Sequence, residues 1–176
     1  EVTAANYRDA FRLKVRPDQE RFVATNAVSI AQAHFHREAW FRLIHAGGTP
    51  VGFVMLEDWT GLPDQAPDDW KADPYVGLWR FMIDQRYQRQ GFGARALPWL
   101  IDHARRRPGA KCMLLSFVEA EGCPEPFYRQ FGFERTGEVV EGHRRSAYPE
   151  RRIDAVDAHD ALHLLDRDRV LRERNP

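Results

Sequence analysis

The sequence lacks several features that define large classes of proteins. Its 176 residues include only two cysteines, Cys112 and Cys123, and its seven histidines show no metal-ligand spacing. The 26 basic and 26 acidic side chains cancel, so the basic excess of a general nucleic-acid binder is missing. No apolar run reaches the length of about 18 residues typical of a membrane-spanning helix. We therefore expect no disulfide, no metal, no nucleic-acid partner and no membrane insertion.

The first residues contain no basic stretch followed by an apolar segment, which predicts that this chain carries no secretory signal. The unpaired thiols favour a reducing, cytoplasmic location. The length fits one domain, and a hydrophobic share of 43% is sufficient for a core. No internal repeat or low-complexity linker divides the chain.

Hydrophobic periodicity predicts alternating helices and strands. The predicted helices cover 7–15, 29–34, 92–104 and 124–131, and the predicted strands cover 39–45, 51–56, 75–83, 111–118 and 133–140. The unit of strand, helix and strand between 75 and 118 is typical of parallel neighbouring strands, so we expect an α+β fold around one mixed sheet. Pro98 predicts a kink in its helix or a later start of the regular part. The polar segment 57–74 is either a functional or mobile loop or a solvated surface insertion.

A glycine-rich turn joins the strand 75–83 to the following helix. Gly91 and Gly93 allow close approach of a ligand to the backbone, and the N–H groups at a helix N-terminus favour phosphate. Arg86, Arg89 and Arg95 add positive charge. The turn therefore suits a pyrophosphate, while a tight turn with glycines needed for packing is the structural alternative.

Two other nucleotide-binding motifs fit this turn poorly. Gly91, Gly93 and Ala96 match G-x-G-x-x-A, but the seven residues 84–90 separate the strand from the first glycine. The acidic residue expected about 20 positions later in a dinucleotide-binding fold is missing. No G-K-[ST] follows, so the sequence does not predict a P-loop.

Three segments together resemble the GCN5-related N-acetyltransferase (GNAT) family. QRQGFG at 88–93 is similar to its acetyl-CoA pyrophosphate motif, Q/R-x-x-G-x-G/A, and FYRQFGF at 127–133 to its second signature. LWRFMID at 78–84 resembles the bacterial spermine/spermidine acetyltransferase branch. The resemblance implies an α/β sandwich whose central mixed, mostly antiparallel sheet has two splayed parallel strands and flanking helices. It assigns this domain to 1–145 and leaves 146–176 as a tail without assignment.

The resemblance also implies acetyl-CoA as co-substrate. Its pantetheine arm would lie between the splayed strands, bonded to backbone at Met82 and Ile83 and bordered by Ser116 and Phe117. The pyrophosphate would be held by the backbone N–H groups of the turn, namely those of Gln88, Arg89, Gln90, Gly91, Phe92, Gly93 and Ala94.

The chemistry of acetyl transfer requires an acid and a base. An alkyl ammonium titrates near about 10.4, so the attacking amine must lose a proton. Glu57 is the candidate base and Asp58 a weaker one, although either could be a surface carboxylate at a loop start. Tyr128 matches the family tyrosine that protonates the departing thiolate, with a packed aromatic residue as the alternative. The backbone at 82–83 would stabilise the oxyanion.

Arg80 is unusual in a buried strand, and we expect a structural ion pair in preference to a role in the acceptor cleft. The family often has Asn and Ala where Glu121 and Pro124 stand here, which affects a side-chain contact to CoA. The predicted function is acetylation of a primary amine of a small cationic acceptor, with a polyamine suggested by the acidic segment 57–74. Aminoglycoside or protein acetylation and a non-catalytic acyl-CoA sensor are the alternatives. Similar proteins often form homodimers, and we expect one here.

Overall fold

The hydrophobic segments of the chain form one sheet with helices on both sides. The computed structural model describes residues 1–140 and 143–148. Its helices are α1 (Tyr7–Arg12), α2 (Asn26–Ala33), α3 (Asp68–Ala72), α4 (Phe92–Arg105) and α5 (Glu125–Arg129). Its strands are β1 (Ala39–Ala46), β2 (Thr49–Asp58), β3 (Tyr75–Ile83), β4 (Cys112–Val118), β5 (Glu134–Val140) and β6 (His143–Tyr148).

The sheet is mixed and mostly antiparallel, with the strand order β1-β2-β3-β4-β6-β5. Among the strands of the described residues, only β3 and β4 are parallel neighbours, as the crossover through α4 predicts. Their pairing covers Tyr75 to Leu78 on β3 and Cys112 to Leu115 on β4. Both strands continue beyond Leu78 and Leu115 without pairing to each other. We call this point of separation the splay. The predicted α+β class and the splayed parallel strands are confirmed.

Each face of the sheet has its own core. On one face α4 packs its apolar stripe, and the helical residues buried there are Leu97, Leu100, Ile101 and Ala104. On the other face Ala10 and Leu13, at the end of α1, pack against Phe53, Met55 and Met82. At the splay the sheet is open between β3 and β4, so a ligand that lies there can contact groups from both faces.

Several predicted boundaries were wrong for local reasons. α2 begins at Asn26 because Thr25 caps it, its hydroxyl accepting from the Val28 N–H at 3.4 Å. β2 extends through Asp58, which places Glu57 within a strand and not at a loop start. α4 is helical from Phe92 past Pro98, so the later start is wrong.

The segment after β2 is ordered and not a plain polar loop. It forms two 3₁₀ turns, Trp59–Gly61 and Pro63–Gln65, followed by α3. Trp70 is buried, and its indole N–H donates to the backbone oxygen of Tyr75 at 2.7 Å. These elements are too short to give a periodic pattern, which is why the sequence predicted a loop.

The sequence analysis did not predict β6. This strand inserts between β4 and β5 and is antiparallel to both. It ends at Tyr148, three residues past the predicted domain boundary at 145. The rest of the predicted tail, 149–176, lies outside the described residues. No helix in the described part of the chain is long and apolar enough to cross a membrane.

Candidate active site

A bulge in β3 marks the point where the two parallel strands separate. Met55 pairs with Arg80 and Leu56 with Leu78, which leaves Trp79 as an extra residue. A bulge bends its strand and increases the local twist. Here it follows directly after the last parallel pair, Leu78 with Leu115, and so directs the end of β3 away from β4. The bulge therefore helps to open a cleft between the ends of β3 and β4.

The end of β3 directs two backbone N–H groups into this cleft. The N–H of Asp84 donates to the Val51 oxygen on β2 at 2.9 Å. Because alternate residues of a strand direct their N–H groups to opposite sides, Met82 also faces β2, whereas Phe81 and Ile83 face the cleft. The predicted pair Met82 and Ile83 does lie at the strand end. The geometry, however, favours Phe81, which the sequence analysis missed, together with Ile83.

The glycine-rich turn leads into the N-terminus of α4. Gly91 has a φ of 79° and precedes the first helical residue, so no side chain caps the helix. The N–H of Arg95 is the first to bond within the helix, donating to the Gly91 oxygen at 3.0 Å. The preceding N–H groups, from Phe92 to Ala94, have no intrahelical acceptor. This arrangement fits a phosphate.

Side chains of the turn brace it from within. The Nε2 of Gln88 donates to the Ile83 oxygen at 2.9 Å, and that of Gln90 to the Arg86 oxygen at 3.0 Å. Arg89 holds a positive φ of 62°, a conformation uncommon outside glycine. The guanidinium of Arg86 is paired with the Asp84 carboxylate at 2.7 Å, so the positive charge of Arg86 is largely compensated. Gly93 and Ala94 lie in the first turn of α4.

A cavity of about 280 Å³ lies beside the splay, and Glu57 is one of its residues. The side chains and backbone around it belong to His36, Glu38, Glu57, Tyr75, Gly77, Leu78, Trp79, Leu114, Leu115 and Ser116. Glu57 accepts a hydrogen bond at 2.9 Å from the indole N–H of Trp59. Glu38 is buried, with one oxygen 2.7 Å from the Nδ1 of His36. The cavity thus holds two carboxylates.

Two of these residues, His36 and Glu38, were missed by the sequence analysis. They stand between α2 and β1, where no motif distinguishes them. Of the predicted pair on β4, only Ser116 lines the cavity. Phe117 is buried in the core on the α4 face because successive strand residues point to opposite faces.

Tyr128 is buried in the core on the α4 face. Its ring makes edge contacts with Phe127 and Phe133, at centroid distances of 5.3 and 5.7 Å. Burial raises the pKa of Tyr128 above its ordinary value, so its hydroxyl stays protonated at neutral pH. It does not line the cavity, but it shares a hydrophobic cluster with Leu78 and Leu115, which do. The two predicted catalytic residues thus lie on opposite faces of the sheet.

Phe127 joins α5 to the glycine-rich turn, a role the sequence analysis did not assign. Its ring stacks on Phe81 at a centroid distance of 6.3 Å. A Cβ on Gly93 would lie 3.6 Å from the Phe127 ring. This second signature segment therefore packs against the first one in space.

Arg80 does not form the predicted ion pair. Its guanidinium donates to the Gln32 Oε1 at 3.2 Å and to the Trp79 oxygen at 2.9 Å. No carboxylate in the described residues lies within ion-pair distance, and desolvation lowers the pKa of Arg80. Arg80 therefore links β3 to α2 through neutral acceptors.

Comparison with known proteins identifies the family. A sequence profile of the acetyltransferase (GNAT) family matches residues 5–133. The spermine/spermidine N(1)-acetyltransferase of Bacillus subtilis (strain 168) is 30% identical over 141 residues, covering 78% of this chain and 88% of that protein. The crystal structure of AtaTR bound with AcCoA superposes with a TM-score of 0.57 at 18% identity, covering 86% of this chain and 90% of that one. The KacTA-DNA complex gives 0.55 at 19%, covering 82% and 91%.

The profile match covers most of the chain and includes both signature segments. The two solved structures are too distant in sequence to show more than a shared fold. One of them is a complex with DNA, so the absence of a nucleic-acid partner stays a prediction for this protein. The chain belongs to the GNAT family, and it is an N-acetyltransferase that uses acetyl-CoA.

Proposed function

We propose that this protein acetylates a primary amine of a polyamine, with the amine entering through the cavity beside the splay. The observation that carries this proposal is the pair of carboxylates, Glu38 and Glu57, in one cavity next to the acetyl-CoA cleft. The relative that shares 30% identity is a spermine/spermidine acetyltransferase, which supports the same acceptor class.

The cavity matches the charge pattern of a polyamine. The reacting nitrogen must be neutral to attack, whereas the other nitrogens of the same molecule stay protonated at pH 7. Glu38 offers a buried carboxylate to such an ammonium, and charge interactions are stronger where water is excluded. The ring of Tyr75 supplies an aromatic wall that suits a cation, whereas the Trp79 ring already faces the Arg80 guanidinium at 5.5 Å. A neutral acceptor would leave the Glu38 charge without a ligand partner.

The cleft provides a separate seat for acetyl-CoA. Its pyrophosphate would rest on the N–H groups of the turn 88–94, and its pantetheine arm would pair with the cleft-facing backbone of Phe81 and Ile83. Ser116 borders the thioester from β4. Two of the predicted binding residues would support this site without contacting acetyl-CoA. Met82 faces β2, and Phe117 lies in the core on the α4 face.

The proposed reaction is a direct attack. Glu57, directly or through water, takes the proton from the ammonium, and the freed nitrogen lone pair forms a bond to the thioester carbon. The oxyanion is stabilised by backbone N–H groups near the end of β3. The carbon–sulfur bond then breaks, and Tyr128 donates its proton to the leaving thiolate. The nitrogen of the intermediate loses its second proton to solvent, and a proton from solvent restores the Tyr128 hydroxyl. The amine gains the acetyl group, and CoA leaves as the free thiol.

A thiol-release assay with acetyl-CoA tests the acceptor class. The panel holds spermidine, spermine, an aminoglycoside, an amino acid, a lysine peptide and propylamine, with mass spectrometry of each product. We expect turnover with the polyamines at a kcat/KM at least about tenfold above that of propylamine. Preferred turnover of the aminoglycoside or the peptide would contradict the polyamine assignment. No turnover with any amine, with acetyl-CoA bound, would favour a sensor.

The homodimer, the cytoplasmic location and the assignment of the residues through the end of β6 to one domain are also proposals. Size-exclusion chromatography with light scattering would test the first. A single mass of about 20.5 kDa at micromolar concentration would contradict it.

A further inference from the structure

Asp84 is a buried carboxylate that follows the last residue of β3. Its side chain is 2% exposed. One oxygen accepts from the backbone N–H of Arg86 at 3.0 Å and from its Nε at 2.7 Å. The other accepts from the backbone N–H of Lys14 at 2.9 Å. A single carboxylate thus joins the start of the glycine-rich turn to the segment after α1.

Two further contacts hold the same segments together. The N–H of Gln85 donates to the Lys14 oxygen at 2.8 Å. The Nε2 of Gln88 donates to the Gln19 Oε1 at 2.8 Å. The segment after α1 is therefore attached to the turn at two separate points. It continues into α2, which leads to the cavity-lining Glu38.

We propose that Asp84 is a positioning residue. It fixes the glycine-rich turn, which would bind acetyl-CoA, relative to the segment that runs from Lys14 through α2 to Glu38 at the acceptor cavity. It would touch neither substrate. A buried charge is retained only where hydrogen bonds replace its lost hydration, and here the donors come from both segments. Small displacements of reacting groups cost a large share of the rate, so such a join has a direct effect on transfer. The inference rests on the family activity and not on the identity of the acceptor.

The variant Asp84→Asn removes the charge while keeping the size. The amide NH₂ group then faces an N–H donor of either Arg86 or Lys14. The hydrogen bonds on that side must therefore break. We expect the Kd of acetyl-CoA, measured by calorimetry, to rise about tenfold. The KM of spermidine, or of the panel amine that turns over, should rise as well. Circular dichroism should show a folded protein.

Arg107→Gln is the matched control because it breaks another buried ion pair, Asp58 with Arg107 at 2.6 Å, beyond the far end of α4. It should lower the melting temperature and leave both constants unchanged. If Asp84→Asn does the same, the residue is only stabilising and the proposal is overturned. A rise confined to acetyl-CoA would also overturn it, because the two sides would then not be coupled.

A milder variant covers the case in which Asp84→Asn does not fold. Gln19→Ala removes the contact with Gln88, together with a longer hydrogen bond that the Gln19 Oε1 accepts from the Arg16 N–H at 3.4 Å. It should raise the same two constants by a smaller factor, about threefold. Unchanged constants in a stable Gln19→Ala protein would contradict the join.

Discussion

At the scale of single residues, burial controls the acidity of the Tyr128 hydroxyl. Burial raises its pKa, so the phenol is protonated at neutral pH and is a weaker acid than an exposed tyrosine. The same burial explains why the residue looked ambiguous in sequence, since a packed core tyrosine has the same neighbours. The functional assignment therefore rests on kinetics.

Tyr128→Phe should lower kcat by about 100-fold, because general acid catalysis commonly contributes a factor of this order. The ring contacts with Phe127 and Phe133 are retained, so the melting temperature should change little. Calorimetry should show an unchanged Kd for acetyl-CoA. Tyr7→Phe, on α1, is the control, and it should match the wild type. An undiminished kcat in Tyr128→Phe would show that the acid is another group.

Glu57→Gln tests the base. A glutamine can still accept from the Trp59 indole, so the local structure should persist, but it cannot take a proton. We expect kcat with spermidine to fall about 100-fold, with the Kd of acetyl-CoA unchanged. Glu20→Gln, an exposed carboxylate, should behave like the wild type. Equal loss of kcat in both variants would contradict a specific role for Glu57.

At the scale of elements, the sequence predicted the regular strands and the glycine-rich turn well. β3 matches the predicted range 75–83, because its dense apolar run has few alternatives. The bulge at Trp79, the cavity residue Glu38 and strand β6 were not predictable in the same way. Each depends on pairing with distant segments, and a single-residue bulge or a short polar strand leaves no periodic pattern.

The turn before α4 gives an element-scale prediction. Gly91 is in the left-handed region, and a Cβ there would lie 3.1 Å from the Arg95 guanidinium. Gly91→Ala should therefore shift the turn and raise the Kd of acetyl-CoA about tenfold or more, measured by calorimetry. Gly61→Ala is the control, because nothing lies within 4 Å of its Cβ position. Equal affinities in the two variants would contradict the pyrophosphate assignment.

At the scale of the whole molecule, two buried carboxylates make stability depend on pH. Burial acts to raise the pKa of Asp84, but hydrogen bonds from Arg86 and Lys14 outweigh it and leave this pKa below its ordinary value. Hydrogen bonds from Arg135 likewise lower the pKa of Glu125. Because both groups bind protons more weakly when folded, their contribution is present above pH of about 4 and is lost as the pH falls through the folded values.

The melting temperature of the wild type should therefore fall steeply below pH of about 4. A double variant, Asp84→Asn with Glu125→Gln, should start from a lower melting temperature and decline less over the same range. Differential scanning calorimetry from pH 6 to the acid limit measures both curves. Parallel curves would show that other groups control acid unfolding.

The central claim is that one cavity recognises a polycation beside the acetyl-CoA cleft. The most direct measurement is kcat/KM for spermidine and for propylamine, each in the wild type and in Glu38→Gln. The proposed function predicts that the variant loses about tenfold or more with spermidine and almost nothing with propylamine, because only spermidine carries further ammonium groups for this carboxylate. An equal loss with both amines, or no loss with either, would contradict it.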